Sequence, residues 1–340
     1  MRNRRNNGWS RREFLSTAAL AGTGALLGLR PEAIAADPPL ETTKLRLAQI
    51  SSICYAPQYM AEDILRNEGF AEVQYVKFTS GDAVTKALAA GEINLTMTVV
   101  GSLIIRLDAG DPIVILGGVH VGCYELFGTN GVRAIRDLKR KTVAVVAMGS
   151  GQHVFLSSML SYVGLDPRRE INWVTHPSAE AMELLSKGKV DAFMAFPPEP
   201  QELRAKKIGR VVVNTMMDRP WSQYFCCMVA ANKEFARKNP VATKRALRAI
   251  LKMTDLVALD PERAARFLVD KGYTKNFNYA LEAMKDIPYN KWREYDPEDT
   301  MRFYSLRLQE VGMIKSSPQK IIAQGTDWRF LKELKKELKT

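Results

Sequence analysis

The stretch AMELLSKGKVDAF, residues 181–193, reads as a short amphipathic helix, a glycine stop and a buried strand. Apolar residues at helical spacing end at Gly188, and glycine is the residue that most often closes a helix in the left-handed conformation. A second copy of this unit lies earlier in the chain, with matching pairs Leu88/Leu185, Gly91/Gly188, Ile93/Val190, Asn94/Asp191 and Met97/Met194. The repeat predicts two similarly built α/β lobes.

Strand and helix patterns alternate around both copies. Period-two or continuous apolar runs predict strands at 44–50, 73–78, 93–100, 113–119, 141–147, 171–174 and 190–196. Helical spacing predicts helices at 57–67, 83–90, 152–163 and 179–187. This alternation indicates βαβ units and mainly parallel sheets flanked by helices.

The chain after residue 232 is mostly helical. Helices are predicted at 241–259, 262–271, 298–311 and 328–338. The first three follow Asn-Pro or Asp-Pro pairs, which combine a capping side chain with proline at the first helical position. We therefore expect a helical C-terminal extension on the α/β body.

The N-terminal residues resemble a twin-arginine signal peptide. Arg11 and Arg12 precede a weakly apolar segment at 16–29 and an Ala33-Ile34-Ala35 cleavage pattern. The apolar segment is shorter than the roughly 20 residues that span a bilayer. We expect a signal peptide over 1–35 and a periplasmic protein exported folded by the twin-arginine route; the alternative is a membrane-anchoring helix.

The charge of the chain is basic but dispersed. Lysine and arginine exceed aspartate and glutamate by 49 to 37. The densest basic groups, at 133–141 and 332–339, are interleaved with apolar residues at helical spacing. They read as solvated helix faces, so no nucleic-acid partner is predicted, and an anionic ligand or membrane surface is the weaker interpretation.

Four cysteines raise the question of disulfides in an exported protein. Cys226 and Cys227 are adjacent in an apolar run that reads as a buried strand, where neighbours point to opposite faces and do not easily pair. A bridge from either to Cys54 or Cys123 stays open, with four buried thiols as the default. The three histidines have no zinc-type spacing to the cysteines, so neither metal nor cofactor is predicted.

The chain resembles the substrate-binding proteins of ABC importers, in the nitrate/sulfonate/taurine branch whose relatives also bind thiamine-pyrimidine precursors. The resemblance lies in IRDLKRKTVAV (135–145), MGSG (148–151), the opening stretch 181–193, PPEP (197–200), YAPQYMA (55–61) and the stretch 82–91. It implies a two-lobe periplasmic-binding-protein-like fold (type II), with lobe one at 44–128 plus 223–340 and lobe two at 129–222. Hinges are expected near Thr129 and Arg219-Pro220. The implied role is a monomeric binding protein that closes on a small ligand and delivers it to a membrane permease.

The predicted ligand site lies beyond the carboxyl ends of the strands, where open α/β sheets bind ligands. The best local candidate is Gly149-Ser150-Gly151, because a glycine turn at a helix start offers free N–H groups to an oxyanion. Trp221 is a candidate apolar wall, with interdomain packing as its alternative role. The full candidate set is Ser51, Ser52, Cys54, Tyr55, Thr79, Ser80, Gly81, Gly101, Ser102, Gly149, Ser150, Gly151, Gln152, Pro198, Glu199 and Trp221.

Glu199 is an unexpected residue in a site for an inorganic anion or a sulfonate, because it carries a negative charge. A carboxylate in the cleft would repel sulfonate or nitrate and would suit an N–H edge or an amine. The alternative is that it points outward and caps a helix, so the ligand class stays open at this point.

Two other functions share the sequence features. A pyrimidine synthase of this fold relies on a cysteine-rich stretch, which Cys226-Cys227 alone does not supply, and no G-x-S-x-G, H-E-x-x-H or P-loop motif is present. An enzyme is therefore not predicted. A ligand sensor coupled to a membrane receptor would show the same residues as an importer component.

Overall fold

The computed structural model describes residues 38–338. The predicted signal peptide over 1–35 lies outside the described residues. From Leu40 onward the chain forms one compact unit built on two five-stranded sheets.

The first sheet has the order β2-β1-β3-β10-β4. Strand β10 is antiparallel to both neighbours, and the other four strands run parallel. The strands are β1 (Lys44–Gln49), β2 (Glu72–Lys77), β3 (Leu95–Val99), β4 (Ile113–Val121) and β10 (Phe225–Asn232).

The second sheet has the equivalent order β7-β6-β8-β5-β9, with β5 as its single antiparallel strand. Its strands are β5 (Glu125–Gly128), β6 (Thr142–Val145), β7 (Asn172–Thr175), β8 (Ala192–Ala195) and β9 (Arg210–Asn214). Each sheet is thus mainly parallel, as predicted, and takes one antiparallel strand from a segment where the chain crosses between sheets.

Helices flank both sheets and form the C-terminal part of the chain. In the α/β part they are α1 (Ala56–Met60), α2 (Glu62–Asn67), α3 (Gly81–Ala90), α4 (Val100–Asp108), α5 (Gly151–Tyr162), α6 (Ser178–Ser186) and α7 (Glu199–Ala205). After the second sheet come α8 (Lys233–Lys238), α9 (Pro240–Leu259), α10 (Pro261–Asp270), α11 (Phe277–Asp286), α12 (Pro297–Glu310), α13 (Pro318–Gly325) and α14 (Arg329–Glu337). Asp260 and Asp296 cap α10 and α12 through their side chains. Among the helices of residues 38–338, none has the length and apolar character needed to cross a membrane.

The repeated unit occupies the same place in both sheets. Asn94 accepts a hydrogen bond from the amide of Arg46 at 2.7 Å and joins β3 to β1. Asp191 accepts from the amide of Thr142 at 2.9 Å and joins β8 to β6 in the same way. Gly91 and Gly188, which stop the preceding helices, both have positive φ. The two lobes inferred from the repeat therefore share one construction.

The crossings between the sheets lie close to the predicted hinges, with one shift. Strand β5 pairs with β8 and β9, so the first crossing falls at residues 122–124 rather than near Thr129. Residues 125–128, which the family resemblance assigns to lobe one, therefore belong to the second sheet. The second crossing runs from β9 to β10 and contains the cis Arg219-Pro220 bond.

Candidate functional site: the junction of the two sheets

The turn after β1 is buried at the carboxyl edge of the first sheet. Ser52, Cys54 and Tyr55 are each at most 5% exposed, whereas Ser51 faces solvent. The Ser52 hydroxyl lies 3.2 Å from the Cys54 sulfur, and the Tyr55 hydroxyl lies 3.3 Å from the Thr98 hydroxyl at the end of β3. The ends of β1 and β3 are thus joined by Tyr55, a candidate from the sequence, and by Thr98, which is not one of those candidates.

The turn after β6 is more open and leads into α5. Gly149 adopts a φ of +78°, a conformation that favours glycine, and it is exposed. The Ser150 hydroxyl caps the helix by accepting from the amide of His153. His153 accepts from the Gly149 amide through Nδ1 at 3.1 Å, and burial lowers its pKa to about 4. The His153 imidazole is therefore neutral near pH 7 and stabilises the turn through its hydrogen bond with Gly149.

The start of α5 meets the first sheet at close range. A Cβ added to Gly151 would lie 2.7 Å from the Tyr124 hydroxyl and 3.4 Å from Val99. Likewise, a Cβ on Gly101, in the first turn of α4, would lie 2.7 Å from Val154. Glycines therefore permit the close approach of α4, α5 and the crossing segment, with the half-buried Ser102 beside Gly101.

Gln152 is a buried member of this junction. Its side chain is 3% exposed, and its Nε2 has no hydrogen-bond partner among the described residues. A buried amide without a partner costs free energy unless a ligand or water satisfies it. The start of α5 therefore carries a buried amide donor, Gln152 Nε2, without a partner among the described residues.

The other candidates make capping or packing contacts of their own. Thr79, Ser80 and Gly81 follow the edge strand β2, where Ser80 caps α3 through the amide of Ala83. Trp221 packs edge-on against Tyr162 of α5 at 5.2 Å and Phe303 of α12 at 5.8 Å. That packing matches the alternative role considered for Trp221.

Glu199 turns its carboxylate onto its own chain. It is 7% exposed, follows the cis Pro197-Pro198 bond, and accepts a hydrogen bond from the Phe196 amide at 3.0 Å. Burial raises the pKa of Glu199 to about 7, against the opposing hydrogen bonds from Ser178 and Phe196. The carboxylate closes the turn after β8.

An ionic network joins the second sheet to the C-terminal helices. Arg204 of α7 contacts the carboxylate of Glu125 on β5, and its Nη2 lies 2.7 Å from Glu282 and 2.6 Å from Asp286 of α11. Glu125 is fully buried, and burial raises its pKa. Helix α11 also packs on the turn after β1, so the network links both edges of the junction.

The fold also gathers residues that sequence spacing leaves unconnected. Sulfur atoms of Cys54, Cys123 and Cys227 and a ring nitrogen of His120 lie within 4.8 Å of one another. The Cys226 sulfur is 3.2 Å from that of Cys123, and all four cysteines are free and buried. This cluster differs from the expectation of no metal-type site, because its members are distant in sequence and meet only through sheet topology.

The structure has the fold of the periplasmic binding proteins. The structure is similar to the periplasmic nitrate-binding protein NrtA from Synechocystis PCC 6803, with a TM-score of 0.73 and 16% identity over 89% of this chain and 90% of that chain. It is also similar to the periplasmic aliphatic sulphonate binding protein SsuA from Escherichia coli, with a TM-score of 0.66 and 18% identity over 82% and 92% of the two chains.

Residues 38–268 match the model of the NMT1-like family, and the chain belongs to that family. The chain is also 23% identical to the 4-amino-5-hydroxymethyl-2-methylpyrimidine phosphate synthase THI13 of Saccharomyces cerevisiae over 58% of its own length. It spans 62% of the length of that relative.

Proposed function

We propose that the protein is an extracytoplasmic solute-binding protein that captures a small organic anion at the sheet junction and delivers it to the permease of an ABC importer. The observation that carries the proposal is the buried, unpartnered Gln152 amide at the start of α5, beside the Gly149-Ser150-Gly151 turn. Helix starts hold oxyanions through free N–H groups and the positive end of the helix dipole.

The position of Glu199 removes the main objection to an anion. In the sequence a carboxylate at this edge argues against sulfonate-like or nitrate-like ligands. In the structure that carboxylate accepts hydrogen bonds from the Phe196 amide of its own turn and from Ser178 of α6, and its raised pKa of about 7 reduces its charge near neutrality. At the α5 start, the unpartnered Nε2 of Gln152 is a hydrogen-bond donor.

Ligand capture would occur between the lobes. Segments from both sheets contribute to the junction, so a ligand there would contact both and favour the closed arrangement. Lobe boundaries at the two crossings, residues 122–124 and 215–224, would serve as the hinges.

A thermal-shift screen of residues 36–340 tests the binding role. The panel holds alkyl sulfonates, nitrate, bicarbonate, pyrimidine precursors, flavins, amino acids and aromatic carboxylates. A ligand at a thousand times its Kd adds about 4 kcal/mol of stability, which raises the unfolding midpoint by roughly 8 °C. A compound that is bound and converted would instead identify an enzyme and contradict the proposal.

Two matched variants locate the site. Ser150 and Ser80 cap the helices that follow β6 and β2, and both replacements by tryptophan remove a cap. We expect Ser150→Trp to abolish the thermal shift of the identified ligand and Ser80→Trp to retain it. An equal shift in both variants would remove the α5 start from the site.

The importer role and the export route have separate tests. Cells that lack the protein should lose uptake of the identified ligand at low concentration; unchanged uptake would favour the sensor role. Replacing Arg11 and Arg12 by lysine should trap the uncleaved protein in the cytoplasm, and normal export of that variant would refute the twin-arginine route.

A further inference from the structure

The buried cysteine–histidine cluster lies at the carboxyl edge of the first sheet. Its four residues come from four segments: the turn after β1 (Cys54), the end of β4 (His120), the first crossing (Cys123) and the start of β10 (Cys227). The exposed fraction of each is 3% or less. Buried cysteine thiolates and imidazole are the ligands that hold zinc in structural sites.

An irregularity in β10 explains how the adjacent Cys226 and Cys227 both lie near Cys123. The register between β10 and β4 shifts on both sides of Cys227. A bulge of this kind re-aims side chains that would otherwise alternate between the two faces. Both Cys226 and Cys227 therefore approach the crossing at Cys123.

The hydrogen bonding of His120 leaves one ring nitrogen free to act as a ligand. Its Nδ1 lies 2.8 Å from the carbonyl oxygen of Gly122, which can only accept, so Nδ1 carries the proton. Nε2 then presents a lone pair, is buried, and has no hydrogen-bond partner within the described chain. A histidine fixed by a backbone carbonyl through its other nitrogen is the usual arrangement of metal-binding imidazoles.

The surroundings also hold the other ligands in place. The Ser52 hydroxyl lies 3.2 Å from the Cys54 sulfur. The Tyr289 hydroxyl donates to the Cys54 carbonyl at 2.9 Å, and its ring packs edge-on against His120 at 5.3 Å. The cluster is thus supported from outside, as outer-shell groups support metal ligands.

We propose that Cys54, Cys123, Cys227 and His120 form a structural zinc site that fixes the first crossing to the first sheet. Tetrahedral bonds of about 2.3 Å to sulfur put ligand sulfurs about 3.8 Å apart, so the present spread of up to 4.8 Å requires a contraction of less than about 1 Å. Binding of Zn²⁺ releases three thiol protons and leaves neutral imidazole as the fourth ligand. Affinity therefore falls as the pH is lowered.

Refolding of residues 36–340 under reducing conditions tests the site, since a buried ion must enter before the fold closes. The protein is refolded with EDTA, with ZnCl₂ or with CoCl₂, and bound metal is measured by mass spectrometry. We expect one equivalent of zinc, a raised unfolding midpoint relative to the EDTA sample, and cobalt spectra with thiolate charge-transfer bands and tetrahedral d–d bands.

Variants decide which residues are ligands. Cys54→Ser, Cys227→Ser and His120→Gln should each weaken zinc binding by more than about 100-fold, the upper range for loss of an outer-shell partner. Cys226→Ser is the matched control: it is equally buried, 3.2 Å from Cys123, yet outside the ligand set, and should retain one equivalent.

Several outcomes would overturn the proposal. Folded, reduced wild-type protein that takes up no zinc or cobalt excludes the site even if the variants misfold. Cobalt spectra without thiolate bands exclude the cluster as the ligand set. Loss of two hydrogens in the intact mass, with Cys123 and Cys226 joined in a peptide map, would identify a disulfide in place of a metal site.

Discussion

The turn after β1 and the turn after β6 occupy the same place in two sheets of the same strand order, yet they differ in chemistry. The first is buried and carries a thiol, a hydroxyl and a tyrosine at Cys54, Ser52 and Tyr55. The second exposes Met148 and Gly149 and continues into a helix capped by Ser150. The buried turn after β1 is suited to a structural role, whereas the exposed turn after β6 is accessible to a ligand.

The difference arises from what covers each edge. Helix α11 and Tyr289, both late in the chain, pack over the turn after β1. Helix α5 lies against α4 and α12, but the turn that precedes it stays accessible at Gly149 and partly accessible at Ser150. Strand order fixes where an edge lies, and the C-terminal helices decide whether it is closed.

Arg204 provides the strongest test of how the two edges are coupled. Arg204→Ala removes the cation between the buried Glu125 and the carboxylates of Glu282 and Asp286. Leaving a buried carboxylate without its partner costs about 3 kcal/mol or more, so we expect a loss of that size in the free energy of unfolding, measured in urea at pH 8. The second sheet would then lose its tie to the helix that covers the first.

The pH dependence of this loss identifies its cause. Burial raises the pKa of Glu125 and the Arg204 cation opposes that rise, so the pKa of Glu125 is higher still in Arg204→Ala. Protonation of Glu125 then stabilises the variant more than the wild type as the pH falls. The deficit of Arg204→Ala should therefore shrink between pH 8 and pH 5. Arg302→Ala, which breaks an exposed pair with Glu298, should cost less than about 0.5 kcal/mol. Equal losses in the two variants would contradict a coupling role.

Glu199, in the turn after β8, gives a test of the second sheet through the pH dependence of stability. Its pKa of about 7 lies above the ordinary 4.5, so the native state binds a proton that the unfolded chain releases. Stability from this group is present below about pH 4.5 and is lost as the pH rises through 7, a change on the order of 3 kcal/mol. In Glu199→Gln, the urea concentration at the unfolding midpoint should change less between pH 5 and pH 8 than it does in the wild type. A pH dependence that survives Glu199→Gln would assign the effect to another group.

Local patterns predicted the framework of the fold well. The glycine-stopped unit at 181–193 and its copy around Gly91 occupy equivalent positions, down to the bonds made by Asn94 and Asp191. These features depend on residues close in sequence, where helix stops and strand periodicity are readable. Helix α4 was missed: the predicted strand runs to residue 100, and no element was predicted between it and the strand at 113–119.

The candidate site could be predicted only in part, because several of its contacts join residues that are far apart in sequence. The turns at Ser52 and Ser150 were found because parallel strand ends meet at one edge. Tyr124, which touches Gly151, and His120, which joins the cysteines, were missed. Their roles depend on the antiparallel strands β5 and β10, whose pairing partners are far away in sequence.

The glycines that begin α3 and α5 give the smallest effect and the most direct test of contact between the edges. Both are the first residue of a helix after a serine cap. A Cβ at Gly81 meets nothing within 4 Å, whereas one at Gly151 would lie 2.7 Å from the buried Tyr124 hydroxyl. We expect Gly81→Ala to stabilise the protein by about 0.4–1 kcal/mol and Gly151→Ala to destabilise it by about 1–3 kcal/mol in urea unfolding.

A double variant isolates the cause of that loss. Tyr124→Phe removes the hydroxyl nearest to the added methyl group, and the next neighbour, Val99, lies at an ordinary contact distance of 3.4 Å. Most of the stability lost in Gly151→Ala should therefore return when both changes are combined. If Gly151→Ala is as harmless as Gly81→Ala, the start of α5 does not touch the first crossing in solution. The unliganded protein would then hold its two sheets apart at this edge.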